Sequence, residues 1–174
     1  MSESRLELLW TGWRSAYVTS GGAVGGVAPD DSRSVFTRIL ESAIADEEAL
    51  IVHRGETCFA ILNRYPYSTG HTLVLPYREI SELEDLTAAE AAEMWATVTD
   101  GVRALKAAYR PHALNVGINL GAAAGGSVAQ HLHVHLVPRW NGDANFMTAT
   151  AYTRTIPEAL PDTWAKVRAC WPQP

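Results

Sequence analysis

The chain has 174 residues, enough for one domain with a core of its own. Apolar residues make up 47% and charged residues 19%, a globular composition, and the net charge of −5 excludes a surface built to neutralise long nucleic acid. Cys58 and Cys170 are the only cysteines and form no CxxC pair, which excludes a disulfide framework or a four-ligand zinc module.

The N-terminus, MSESRLELLWTGWR, mixes charges into its apolar residues. No signal peptide and no membrane span are expected, and a reducing cytoplasm is the expected location. Residues 4–18 repeat apolar positions at helical spacing: Leu6, Leu9, Trp10, Trp13 and Tyr17. SGGAVGGVAPDDS (20–32) then reads as a flexible connector. From Ser34, SVFTRILESA predicts a short helix with Phe36, Ile39 and Leu40 on one face. LIVHRG (50–55) and TCFAILN (57–63) predict a hairpin, and HTLVLP (71–76) a third strand after the turn residues Pro66 and Gly70. Thr87 followed by Glu90 is a capping box opening a long helix, and Pro111 closes it. LNVGINL (114–120) and HLHVHLVP (131–138) predict two more strands, joined by the Gly-rich loop GAAAGGS. Residues 157–170 predict a last short helix. Strands outnumber helices and come partly as a meander, which predicts an α+β fold with a largely antiparallel sheet. The expected organisation is a helix and connector over 1–33, a main domain over 34–150 and a tail with a short helix over 151–174.

The stretch HLHVHLVPRW puts His131, His133 and His135 on one face of a strand and Leu132, Val134 and Leu136 on the other. The aliphatic face is expected to pack beneath a helix. Three readings of the imidazole face compete. The histidines can be unrelated surface residues on a half-exposed sheet, but three in strict alternation out of six in the chain is a poor fit to chance. They can bind a metal, but the outer two lie about 13 Å apart along a strand, and no carboxylate stands in the strand or the loop before it. Or they can work at phosphorus: a neutral imidazole is a good nucleophile near neutral pH when one nitrogen is bare and the other is held protonated. Gly125, Gly126 and Ser127 just before the row offer backbone N–H groups and a hydroxyl to an anion.

HLHVHLV resembles the signature of the histidine-triad (HIT) family of nucleotide hydrolases and transferases. FAILNRYPYSTGHTLVLPYREISELEDLT (59–87) resembles the family's N-terminal signature. NVGINLGAAAGGSVAQHLHVHLVPRWNGDANFM (115–147) resembles the bacterial branch that includes diadenosine tetraphosphate phosphorylases. The resemblance covers roughly residues 34–150 and implies a five-stranded antiparallel sheet with a long and a short helix packed on it. It implies that His133 attacks the α-phosphorus and carries a nucleotidyl-imidazole intermediate. His135 would contact the phosphate and bridging oxygen, with His131 and His71 in support. Asn63 would bind the ribose hydroxyls, and Asn119, Gly126 and Ser127 would line the phosphate pocket. Ile39, Ile61 and Phe36 would sandwich the adenine. Trp140 is either an aromatic anchor or part of a neighbour's site across a dimer. His53 and His112 read as structural, and Cys58 as a small buried hydrophobe.

Two departures from the family matter. Many hydrolases carry Gln in the loop before the triad, where this chain has Gly126-Ser127 and a loop one residue longer. The Gln helps to place the attacking water, so its replacement favours a transferase in which phosphate takes the water's place. SVFTRI also lacks the cysteines that many relatives carry there, so no structural zinc is expected. The reading that results is cleavage of diadenosine tetraphosphate with phosphate to ADP and ATP. Its rivals are a hydrolase of dinucleoside polyphosphates or phosphoramidates releasing AMP, and a nucleotide-binding regulatory protein. No cofactor is obligatory in that scheme, although Mg2+ can accompany the polyphosphate. The expected partners are adenine nucleotides, inorganic phosphate and a second copy of the chain, as a homodimer or homotetramer.

Overall fold

Five strands pair in the order β1-β2-β3-β5-β4, antiparallel throughout. They are β1 (Ile51–Arg54), β2 (Cys58–Leu62), β3 (Thr72–Pro76), β4 (Ala113–Ile118) and β5 (Val134–Arg139). This computed structural model describes residues 33–125, 128–143 and 157–173. The expected N-terminal helix, the connector, Gly126 and Ser127 lie outside the described residues.

The helices are α1 (Val35–Glu41), α2 (Asp46–Ala49), α3 (Ala88–Tyr109) and α4 (Leu160–Cys170). The capping box that opens α3 is present in full: the Thr87 hydroxyl accepts from the Glu90 N–H and the Glu90 carboxylate accepts from the Thr87 N–H. Arg78 adds two charge-assisted bonds to that carboxylate at 3.0 and 2.8 Å, led by which the Glu90 pKa falls to about 2. Arg110 ends α3 in the left-handed conformation, just before Pro111.

Helix α3 covers one face of the sheet. Gly101 permits the closest approach, because a Cβ there would stand 2.5 Å from Leu136 Cδ1. Val134 and Leu136 on β5, Val74 on β3 and Cys58 on β2 are fully buried on this face or beside it, with Met94 and Leu105 of α3. Helix α4 seals the β1 edge, where Trp164 Nε1 donates to the Ile51 carbonyl at 2.7 Å and Trp171 stacks on His53 at 5.1 Å.

Two expectations need correction, and one short helix was not expected. The ladder of β5 begins at Val134, not at residue 131, because the crossover after β3 intervenes: the Leu132 N–H donates to the Ile80 carbonyl at 2.6 Å instead of to a strand. Helix α4 starts at Leu160 rather than 157, with a proline in its first turn. Helix α2, one turn carrying three acids, is too short for periodicity to reveal.

Candidate active site

The strand order puts the last triad member in the middle of the sheet. His135 on β5 lies opposite Leu73 of β3 and Gly117 of β4. Cross-strand partners share a face, so His135, Leu73 and, one strand further, Ile61 line the face opposite α3.

Each imidazole is held by partners that fix its protons. His131 is fully buried, with Nε2 2.9 Å from the Pro76 carbonyl and Nδ1 2.7 Å from the Ser34 hydroxyl. A carbonyl only accepts, so Nε2 carries the proton and Nδ1 accepts from Ser34. His133 has Nδ1 2.8 Å from the His131 carbonyl. By the same argument Nδ1 is protonated and Nε2 keeps its lone pair. Burial lowers the pKa of both His131 and His133, which holds them neutral at physiological pH.

The proton on His135 follows from a longer chain. His71 Nδ1 accepts from the Tyr67 backbone N–H at 3.1 Å, with the Asn63 amide 3.3 Å away. The His71 proton therefore sits on Nε2, which donates to His135 Nδ1 at 3.0 Å. With Nδ1 accepting from His71, a neutral His135 carries its proton on Nε2, and the Asn119 amide 3.4 Å away then turns its oxygen to that proton. His133 and His135 meet edge to face at 4.7 Å between ring centres. A nitrogen with a free lone pair thus stands beside a nitrogen that carries a proton. Gly70, at φ 81°, makes the turn that delivers His71, and a Cβ there would press on Leu105 and Tyr109.

The candidate residues divide accordingly. His131 and His133 form one hydrogen-bonded pair, Asn63, His71, His135 and Asn119 form a second set, and the two meet where the rings of His133 and His135 touch. Phe36 packs on the rings of His131 and His133, at 5.6 and 5.8 Å. Ile39 lies half-buried on the same short helix, and Ile61 is buried about 10 Å from His135 across two interstrand steps. Trp140 is not brought to the triad within this chain. It lies five residues beyond His135, about 16 Å along a strand, and meets Tyr109 edge to face. Among the described residues, no group of three or more His, Cys, Asp or Glu side chains is placed to hold a metal ion.

Sequence reasoning missed Ser34, Thr37, Glu79 and Tyr67. Ser34 caps α1 by accepting from the Thr37 N–H at 3.0 Å, and Ser-x-x-Thr before an apolar run was the available signal for the cap. Nothing local linked it to His131. The Glu79 carboxylate accepts from the Ser34 N–H at 3.0 Å and from the Thr37 hydroxyl. Partial burial acts to raise the Glu79 pKa, but the Thr37 and Ser34 bonds outweigh it and lower the net value. Tyr67 lays its ring against His71 at 4.5 Å and His135 at 5.9 Å.

Comparison with known proteins agrees with this geometry. The family model described as HIT domain matches residues 45–142. The chain is 46% identical over 170 residues to a Mycobacterium tuberculosis protein named AP-4-A phosphorylase, covering 96% of this chain and 85% of that one. It is 33% identical over 93 residues to the asymmetrical bis(5'-nucleosyl)-tetraphosphatase of Schizosaccharomyces pombe, covering 53% and 50%. Among solved structures, a Hit-like protein from Bartonella henselae superposes with a TM-score of 0.66 at 26% identity, covering 80% of this chain and 97% of that one. A Zn-bound histidine triad family protein from Mycobacterium smegmatis gives 0.63 at 30%, covering 79% and 91%.

Proposed function

This chain belongs to the histidine-triad family, and we propose from that premise that it is a nucleotidyl transferase that cleaves diadenosine tetraphosphate with phosphate. The observation that carries the proposal is the pair His133 and His135. His133 Nδ1–H is engaged by the His131 carbonyl, which leaves Nε2 as a nucleophile. In the first step Nε2 bonds to the α-phosphorus as the bond to the bridging oxygen breaks. His135 Nε2–H is disposed to donate a hydrogen bond to that oxygen as negative charge develops on it, keeping its proton, and ATP leaves as the anion. The phosphorylated imidazole is cationic, and the His131 carbonyl stabilises its Nδ1–H. In the second step a phosphate oxygen attacks the adenylyl group, the P–N bond breaks, and ADP leaves with His133 restored. The scheme routes no step through a metal.

The 46% identical relative supports phosphate as the second acceptor, and the yeast relative supports water as the competing one. Product analysis decides between them. ADP and ATP formed only in the presence of phosphate are the expected products. AMP and ATP formed regardless of phosphate would replace this reading with hydrolysis, and tight nucleotide binding without products would replace it with a regulatory role.

Two features support a homodimer or a dimer of dimers. Strand β4 is an edge strand, and Val116 and Leu120 on and after it are 43% exposed. Light scattering on the purified chain reads the assembly directly. Free Cys58 and Cys170 fit the cytoplasm, and no helix among the described residues is long and apolar enough to cross a membrane.

A further inference from the structure

His131 makes no direct use of its ring in the two steps above, yet that ring is fully buried and bonded at both nitrogens. Both nitrogens are engaged, and the segment running from Pro76 to Ile80 organises the engagement. The Pro76 carbonyl takes the Nε2 proton, the Ile80 carbonyl takes the Leu132 N–H, and Glu79 binds Ser34 and Thr37. Ser34 then completes the set through its hydroxyl at 2.7 Å from Nδ1, across 97 positions of sequence. The Ser34 hydroxyl accepts from the Thr37 N–H, and the Thr37 hydroxyl proton is directed to Glu79. The Ser34 proton then has two acceptors in reach, Thr37 Oγ1 at 3.0 Å and His131 Nδ1 at 2.7 Å, and the shorter contact, to a nitrogen with no other donor, directs it to His131. Two residues further on, Phe36 presses on the rings of both His131 and His133.

We propose that Ser34, seated by Glu79 and Thr37, is a positioning residue for nucleotidyl transfer: it locks His131 in place and in one tautomer, and thereby aims the carbonyl that orients the His133 nucleophile. The step from Ser34 to rate is short. Without the hydroxyl, Nδ1 of His131 is a buried acceptor with no donor, and the ring relieves that by shifting or by changing tautomer. Either change costs the Pro76 contact or moves residue 131, whose carbonyl is the partner of His133 Nδ1. Misplacing a nucleophile slows the chemical step more than it weakens substrate binding.

The proposal rests on the functional reading above, so its test has a readout independent of turnover. Full-length protein labelled with 15N-histidine reports the His131 ring nitrogens, and steady-state kinetics with diadenosine tetraphosphate and phosphate reports the rate. Ser34→Ala is expected to lower kcat about tenfold, the effect of one buried acceptor left unpaired, with KM within about threefold. The His131 Nδ1 resonance is expected to move toward that of an unbonded nitrogen. Full kcat in Ser34→Ala overturns the proposal, and so does a reduced kcat with an unchanged His131 spectrum. Should Ser34→Ala not fold, Thr37→Val carries the same test. It leaves Ser34 in place but removes the hydroxyl that joins it to Glu79, and about a threefold loss of kcat with a displaced His131 signal is expected. Unchanged kcat there overturns the proposal. A wild-type protein inert toward dinucleoside polyphosphates overturns the functional reading itself, whereas an active wild type with a fully active Ser34→Ala overturns this inference alone.

Discussion

The two faces of the segment from His131 to Leu136 are held by different physics. On the α3 side, Val134 and Leu136 are fully buried among aliphatic neighbours, and Leu136 reaches to the backbone of Gly101. Contact there is non-directional, and what matters is volume. On the other side, buried His131 and His133 and half-buried His135 are held by bonds that specify which nitrogen bears a proton. Shape alone would tolerate either tautomer, whereas chemistry at phosphorus needs a lone pair on one ring and a proton on its neighbour. One strand therefore serves stability with one face and reactivity with the other, and substitutions on the two should separate cleanly.

The largest separation is expected at His133. His133→Ala should abolish turnover, by about a thousandfold or more, because no other group replaces the nucleophile. Its melting temperature should stay within a few degrees of the wild type. Residual turnover within tenfold of normal would remove His133 from the mechanism. Leu136→Ala, three residues along and on the opposite face, should do the reverse. A truncated core leucine costs about 2–5 kcal/mol, read as a lower denaturant midpoint, while kcat of the folded fraction is kept. A loss of kcat at full stability would show that the faces are not independent. Between these lies His71→Ala, which removes the donor that fixes the His135 proton. Its kcat should fall about ten- to hundredfold, as for a lost orienting partner, with a loss of stability of about 1–3 kcal/mol, because the ring is buried and accepts the Tyr67 N–H. An unchanged rate would show that His135 keeps its proton without His71.

The same contrast governs what the sequence revealed. The sheet, the long helix and the alternation of the triad rest on local periodicity, and they were legible: 87–90 capped a helix and 50–63 made a hairpin, as the spacing required. Trp140 read either as an aromatic anchor or as part of a neighbour's site, and within one chain it meets Tyr109 edge to face, a contact between segments that spacing alone does not reveal. Ser34 was not legible as a partner of His131. Its short-range signature is an N-cap, and the bond that matters spans 97 positions, fixed only when the Pro76–Ile80 crossover folds over both. That crossover also displaced the start of β5, because a carbonyl from Ile80 reached Leu132 before any strand did. Local patterns specify elements, whereas the site depends on contacts between segments that no pattern couples.

The smallest effect is the one that pH should expose. Burial lowers the pKa of His131 and His133 below 6.5, the value for an exposed imidazole, and burial with Arg168 nearby does the same to His53. The unfolded chain takes up these protons as pH falls through 6.5, and the folded chain resists them. The unfolded state then binds more protons, so stability falls as pH drops below about 6.5, and the loss continues down to the folded-state values. Glu90 acts with the same sign in a separate, lower window, between 4.5 and about 2, where protonation breaks its bonds to Arg78 and Thr87. A fall of a few degrees in melting temperature between pH 7.5 and 5.5 is expected, and His133→Gln should make that slope shallower. Single-turnover adenylation of the wild type, followed without phosphate so that its titration does not enter, should stay nearly flat over the same interval. The two observables diverge because one environment governs both: the burial that destabilises the fold in acid is what keeps the His133 lone pair available. An adenylation rate that fell with a midpoint at or above pH 6.5 would mean that the nucleophile titrates as an exposed imidazole, and that its burial does not set its reactivity.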